Sequence, residues 1–453
     1  MESRSGTAGQ YDSAHLYIIA CVPRPEQIIE GREISSQPAF DASLPTGSRA
    51  HFFGDYVPLN SRTSDLLVGR RFDPRNNSLN LIRLVLALAV LVHHSWPLTG
   101  TPDEPIFAGE SLGGWAVAGF FGISGYLITA SRWSHGLADY LVHRIARIMP
   151  AFIVCLILMV SVFAPIGYLV AKGSLSGYMS TATSPLNFLI SNAGLKMSSY
   201  NIAGTPLNVP YPGAWNGSLW SLYYEFLCYL IVGVLGIFVL FRRSPWPITA
   251  AFIISVVAQI NVETINRYTD GNFDVVLLLR LLPFFLGGAT VFVWRNAVGI
   301  HWVLGVSSIL AALVLVSVFP AWGGQASGAF VAYGILWISS WLPQPAIIGK
   351  NDVSYGVYIY AFAFQQLLAV FGGYVWGLVA FSLAATALTI PTAIASWLWI
   401  ERPVMRRVRR RDHPVSSPTV QPLADEPRSN SAVAAPNQPP SANQPALSTP
   451  EAT

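Results

Sequence analysis

Between residues 79 and 399 the chain is a succession of apolar stretches, each of roughly 20 residues, the length at which an α-helix crosses the hydrocarbon layer of a bilayer. Charged residues are 11% of the 453 and hydrophobic ones 52%. A soluble domain carries about 25% charged residues, so a soluble globular enzyme is excluded. The expected fold class is an all-α polytopic membrane protein of about ten transmembrane helices with both termini cytoplasmic. The candidate spans are 79–98, 113–130, 149–170, 218–240, 247–263, 275–293, 298–319, 325–342, 353–372 and 375–399.

Charge placement agrees with that even count. Arg70, Arg71 and Arg75 precede the first span, and Arg132, Arg144 and Arg147 follow the second. Further basic residues follow the fourth, sixth, eighth and tenth. The loop after the first span instead holds Asp103, Glu104 and Glu110. Lys and Arg are retained on the cytoplasmic side, so every second boundary is read as cytoplasmic. The loop over 171–215 is the longest of the other set and large enough to cover a substrate entrance.

The flanks differ from this core. Residues 1–74 read as a polar N-terminal extension. Its HLYIIACV at 15–22 is too short to span, and no leader pattern suggests a cleaved signal peptide. Residues 404–453 are basic at first, then rich in Pro, Ser and Ala, and are expected to be disordered. The balance of 27 Lys and Arg against 23 Asp and Glu gives +4 and points to no nucleic acid. Three cysteines, Cys21, Cys155 and Cys228, are too scattered for a disulfide framework or a metal site. No metal is expected. Oligomeric state is not legible.

Ionisable groups inside spans cost ~2.5–3.5 kcal/mol at a helix centre and mark functional candidates. Arg83 and His94 are 11 positions apart, which at ~100° per residue places them about 20° from one face and roughly 16 Å apart along the axis. His93 points about 80° away from that stripe. Arg83 reads equally as a snorkelling anchor, and His94 as an interfacial histidine before Trp96 and Pro97. A histidine there is also suited to take a proton from an alcohol. Gly119, Gly122 and Gly125 in GFFGISGYLIT either pack a close helix contact or leave room beside an acyl chain. Arg144 and Arg147 share a helix face. They suit a polyphosphate or simply obey the charge rule. Glu225 in SLWSLYYE needs a buried partner, for which Arg280 is the candidate. Tyr355, Tyr358, Gln365 and Gln366 make the ninth span unusually polar. Glu401, Arg402 and Pro403 close the last span as an anchor with no chemistry assigned.

Taken in order, Arg83 with His94, GFFGISGYLI, Arg144-x-x-Arg147-x-x-Pro150, SLWSLYYE, SYGVYIY and the closing ERP resemble the integral-membrane acyltransferase 3 family, over about 75–403. SLYYE and SYGVYIY are more similar to the branch that O-acetylates exopolysaccharides and O-antigens. The resemblance implies a membrane-bound O-acyltransferase of the bacterial cytoplasmic membrane. Its donor would be acetyl-CoA or another acyl-CoA, and its acceptor a hydroxyl of a surface or lipid-linked glycan. It implies catalytic roles for His94, Arg83 and Glu225, and coenzyme A binding by Arg144 and Arg147. Two family features are missing. Many members have an Asp before the paired Phe of the second span, where this chain has Ala118-Gly119. Many end the SYxxYL-type motif with a His, where this chain has Ala361 beside Phe362. A glycan or lipid transporter or flippase is the alternative from another class. It would show inverted repeats, and none stands out.

Overall fold

The computed structural model describes residues 69–412. The expectations for most of the N-terminal extension and of the C-terminal tail, and for the placement of both termini, lie outside the described residues. The first helix, α1 (Leu79–Thr99), ends where Gly100 takes a left-handed conformation at φ 65°. A two-stranded antiparallel ribbon follows, β1 (Ile106–Phe107) and β2 (Glu110–Ser111), with Phe107 opposite Glu110. Ser111 then caps α2 (Leu112–Ser134) by accepting from the Gly114 amide at 3.1 Å. Helix α3 (Leu137–Leu158) passes through a π-helical turn, Met159–Phe163, into Ala164–Lys172. Beyond a long loop come α4 (Trp220–Leu235), α5 (Trp246–Ile260), α6 (Val262–Tyr268) and α7 (Phe273–Val293). The last four are α8 (Trp302–Val318), α9 (Gly328–Trp341), α10 (Ser354–Val370) and α11 (Leu378–Ser396). A second π-helical turn, Trp397–Glu401, carries α11 on into a basic helix, Arg402–Asp412.

The expectation of about ten spans is corrected by these lengths. Among the described residues five helical segments are long and apolar enough to cross a membrane: Leu79–Thr99, Leu112–Ser134, Leu137–Lys172, Phe273–Val293 and Leu378–Arg409. A sixth is reached only if α5 and α6, which meet at a bend of 78°, count together. Helices α4, α8, α9 and α10 have 16, 17, 14 and 17 residues. At 1.5 Å per residue they reach roughly 21–26 Å, short of a ~30 Å hydrocarbon layer. The apolar runs of the sequence included residues that the fold spends on helix ends and turns. Hydropathy measures the run and not the helix inside it. The bundle is a multi-pass membrane protein with shorter helices packed among its spans.

Helix α2 lies at the centre and packs most extensively against α7. The glycines explain how closely. A Cβ at Gly125 would run into the carbonyl oxygen of Phe285, and one at Gly288 into that of Gly122. Gly119 meets Leu86 and Ile335 instead. The glycine series therefore packs α2 against α7 at Gly125 and against α1 and α9 at Gly119. Gly125→Ala should cost about 1–3 kcal/mol, the usual range for overpacking. A lower thermal midpoint in detergent would show it.

The polar ninth run is also explained by packing. On α10, the Gln365 Nε2 donates to the Leu91 carbonyl and the Ser95 Oγ, both at 2.8 Å. The Gln366 Nε2 donates to the Tyr211 and Ala214 carbonyls at 2.7 and 2.8 Å. Both side chains are fully buried. They tie α10 to α1 and to the long loop. Cys155 and Cys228 are buried thiols.

Candidate functional site

Helices α1, α2, α4, α7 and α10 surround two adjoining cavities. The larger encloses about 1000 Å³, open mouth included, and is lined by His93 and His94 of α1, Gly113 of α2, Ser218, and Tyr358 and Phe362 of α10. The smaller, about 390 Å³, is lined by Arg83, Phe120, Ser221, Glu225 and Tyr355. Val117 and Tyr358 belong to the walls of both. Arg83 and His94 thus look into neighbouring chambers along one helix, as their 11-residue spacing predicts.

Tyr358, common to both walls, is fixed by two hydrogen bonds of its hydroxyl. Tyr358 donates to the Ser218 carbonyl at 2.9 Å. Its single proton is thereby used, so the Ser221 hydroxyl, 2.5 Å away, donates to it. The Tyr358 ring stands edge-on to Phe120 with centroids 5.8 Å apart.

In the larger chamber His94 is half-buried. Its ring lies edge-on to Phe362 at 5.0 Å and tilted to His93 at 4.8 Å. His93 is bonded through Nδ1 to Glu104. At the mouth, Glu110 of the ribbon takes both Nε and Nη2 of Arg280 in a two-pronged ion pair. Sequence reasoning offered Arg280 as the partner of Glu225, and the fold gives it to Glu110.

Glu225 instead accepts from two hydroxyls, Ser124 at 2.6 Å and Tyr229 at 2.7 Å, both on Oε1. It shares the smaller chamber with Arg83, while His94 lines the larger one. Arg83 donates to Asp352 at 2.9 Å, and Arg147 donates to the same oxygen at 2.7 Å. Arg147 also holds Glu401, which is 1% exposed. The Tyr355 and Trp397 rings lie 5.4 and 5.7 Å from its guanidinium. The π-helical turn delivers both Trp397 and Glu401 to this cation. Asp352 sits in the turn before α10. Burial alone would raise its pKa, but the two guanidiniums hold it down at about 2.

Arg144, one helical turn before Arg147, differs. Its Nε is buried without a hydrogen-bond partner, and no ion pair among the described residues includes it. The two arginines that the motif joins are therefore unlike in structure. One is locked into a network, and one has bonding capacity left. Among the described residues no three His, Cys, Asp or Glu side chains gather as a metal site.

Asp352 and Glu401 were not singled out as partners from the sequence. Both lie at helix ends, where charge is unremarkable. Their signal was proximity to SYGVYIY and to the closing ERP. Tyr358 was noted for polarity alone, and its place between chambers depends on α4.

A helical bundle that crosses the membrane and holds adjoining, differently furnished chambers defines an integral-membrane protein with an enzyme-like interior. Comparison with known proteins sharpens this. An acyltransferase-domain family model matches residues 76–398. An O-acetyl transferase of Shigella phage Sf6 is 30% identical over 303 residues, 65% of this chain and 86% of the relative. Nodulation protein 10 of Rhizobium leguminosarum bv. viciae is 27% identical over 369 residues, 73% of this chain and 93% of the relative. No solved structure matches. The chain belongs to the acyltransferase 3 family and is a membrane acyltransferase. That membership sets the transporter reading aside.

Proposed function

We propose that the enzyme moves an acyl group, with acetyl as the expected one, from acyl-CoA to a hydroxyl of a surface or extracytoplasmic glycan, in the bacterial cytoplasmic membrane. The observation that carries this reading is the pair of adjoining chambers that share Tyr358, with Arg83 and Glu225 in one and His94 in the other. A donor with a long arm fits such a route, because its charged head and its reactive end need different surroundings. The name of the phage relative, an O-acetyl transferase, supports acetyl as the group moved, and the greater volume of the His94 chamber supports an acceptor entering there. The residues 75–403 would form the catalytic unit, and the flanks would be accessory.

The residues divide the work as follows. Arg144, with its unpartnered buried Nε, would bind a phosphate of the donor. Arg147 would hold the shape of that end through Asp352 and Glu401. Arg83 and Glu225 would fix charge along the narrow chamber. The side chains of Phe120 and Tyr358 would guide the thioester arm. His94 would take the proton from the attacking sugar hydroxyl. The oxygen–carbon bond then forms as the carbon–sulfur bond breaks, and His94 returns the proton to the departing sulfur.

The assignment separates the two motif arginines by experiment. Arg144→Ala should weaken acyl-CoA binding about 10–100-fold, the weight of one or two hydrogen bonds to a charged group. Its thermal midpoint should stay near wild type. Arg147→Ala should lower the midpoint instead, because Asp352 and Glu401 lose a shared partner. Calorimetric titration and thermal shift read the two effects. Equal donor affinity in wild type and Arg144→Ala would remove Arg144 from the donor site.

The function as a whole is tested with purified protein in nanodiscs, labelled acetyl-CoA and glycans from the producing organism. Label in glycan with wild type supports the reading. The absence of both transfer and coenzyme A binding would refute it.

A further inference from the structure

A third cavity, of about 620 Å³, opens beside the His94 chamber and shares Tyr200, Trp220 and Leu277 with it. It is not on the route from Arg83 to His94, and the proposed reaction does not use it. Its walls are aromatic, with Tyr223, Tyr224 and Phe273 added to the two shared rings. Trp220 and Tyr223 each stand edge-on to Tyr224, at 5.8 and 5.3 Å. Tyr224 is itself fixed by donating to Asp274 at 2.8 Å. Lys196, from the long loop, pairs with the other oxygen of Asp274. Its ammonium lies 5.8 Å from the centre of the half-buried Tyr223 ring. Asn272 adds an exposed amide at the rim.

This combination has a natural ligand. A sugar ring presents an apolar C–H face and a rim of hydroxyls. Rigid aromatic faces take the first, and fixed polar groups take the second. The charges narrow the class. Lys196 is neutralised by Asp274, and Arg280 at the neighbouring mouth by Glu110. Neither cation is left to meet the carboxylate of an acidic sugar.

We propose that this cavity is a second glycan subsite. It would hold a neutral sugar of the acceptor chain next to the residue acylated at His94. The inference rests on the glycan acyltransferase reading above and deepens it. The subsite would make the enzyme prefer a chain to a free monosaccharide.

The test uses the full-length enzyme in nanodiscs, labelled acetyl-CoA, and oligosaccharides of one, two and three repeat units from a neutral surface glycan of the producing organism. In wild type, KM should fall as the acceptor lengthens. Tyr223→Ala should raise KM for the longer acceptors about ten-fold, the weight of one aromatic stacking face. Its kcat should stay within about two-fold, as for lost uniform binding. Tyr223→Phe should keep the wild-type values. A wild-type KM independent of length, or a Tyr223→Ala variant with unchanged KM, would overturn the subsite while leaving the acyltransferase reading intact. No transfer by wild type to any acceptor would overturn both.

Discussion

His94→Ala should lower acyl transfer by ~10²–10⁴-fold, the usual contribution of a positioned proton-transfer group. The fold should survive the change. His94 is half-buried, and no hydrogen bond among the described residues uses its ring. The ring packs against His93 and Phe362, so its loss removes contact area and leaves no buried polar partner stranded. The neighbouring His93 makes the contrast. It is bound to Glu104 and is 4% exposed. His93→Ala should therefore reduce stability, because Glu104 would lose its partner. Measuring transfer and thermal midpoint on both variants separates chemistry from structure. Normal transfer by His94→Ala would end its assignment as the base.

Arg83 and His94 were legible because a charge inside an apolar run is costly wherever it occurs, and helix geometry alone then puts them along one stripe. The glycines of α2 were legible as small, but their use was not. Whether Gly125 makes room for a ligand or for Phe285 depends on which helix arrives. Glu225 was correctly seen to need partners inside the bundle. Those partners turned out to be two hydroxyls, Ser124 and Tyr229, residue types too common to stand out in a sequence. Arg280 was visible as a cation seeking a carboxylate. Its partner came from a two-residue strand in a short loop. The number of spans failed for a related reason. Helix ends are set by tertiary contacts and turns, as at Gly100 and Gly236, and apolar composition continues past them. Asp352 was the largest omission. It looks like a loop residue in the sequence, and only the fold brings Arg83 and Arg147 from separate helices to its one oxygen.

That omission leads to the largest effect on stability. Asp352→Asn removes the charge that two guanidiniums share, with side chains 23%, 17% and 13% exposed for Arg83, Arg147 and Asp352. Breaking a buried ion pair from one side costs about 3–5 kcal/mol, because the remaining charge stays desolvated. Arg147 keeps Glu401, which places the expected loss near the lower end, about 3 kcal/mol. The pH dependence follows from the direction of the shift. In the fold the Asp352 carboxyl titrates at about 2, below the ~3.9 of an unfolded chain. The folded state therefore favours the ionised form. Its stabilisation is complete above the unfolded value and disappears as pH falls through the folded one. Wild type and Asp352→Asn should differ by a constant thermal midpoint from pH 7 down to about 5. The gap should close progressively below about pH 4. The variant should also lose donor binding, since Arg147 and Arg144 lie one turn apart on α3 and the network holds that turn in place. A midpoint equal to wild type at pH 7 would mean that the two arginines find other partners, and that Asp352 does not organise this end of the bundle.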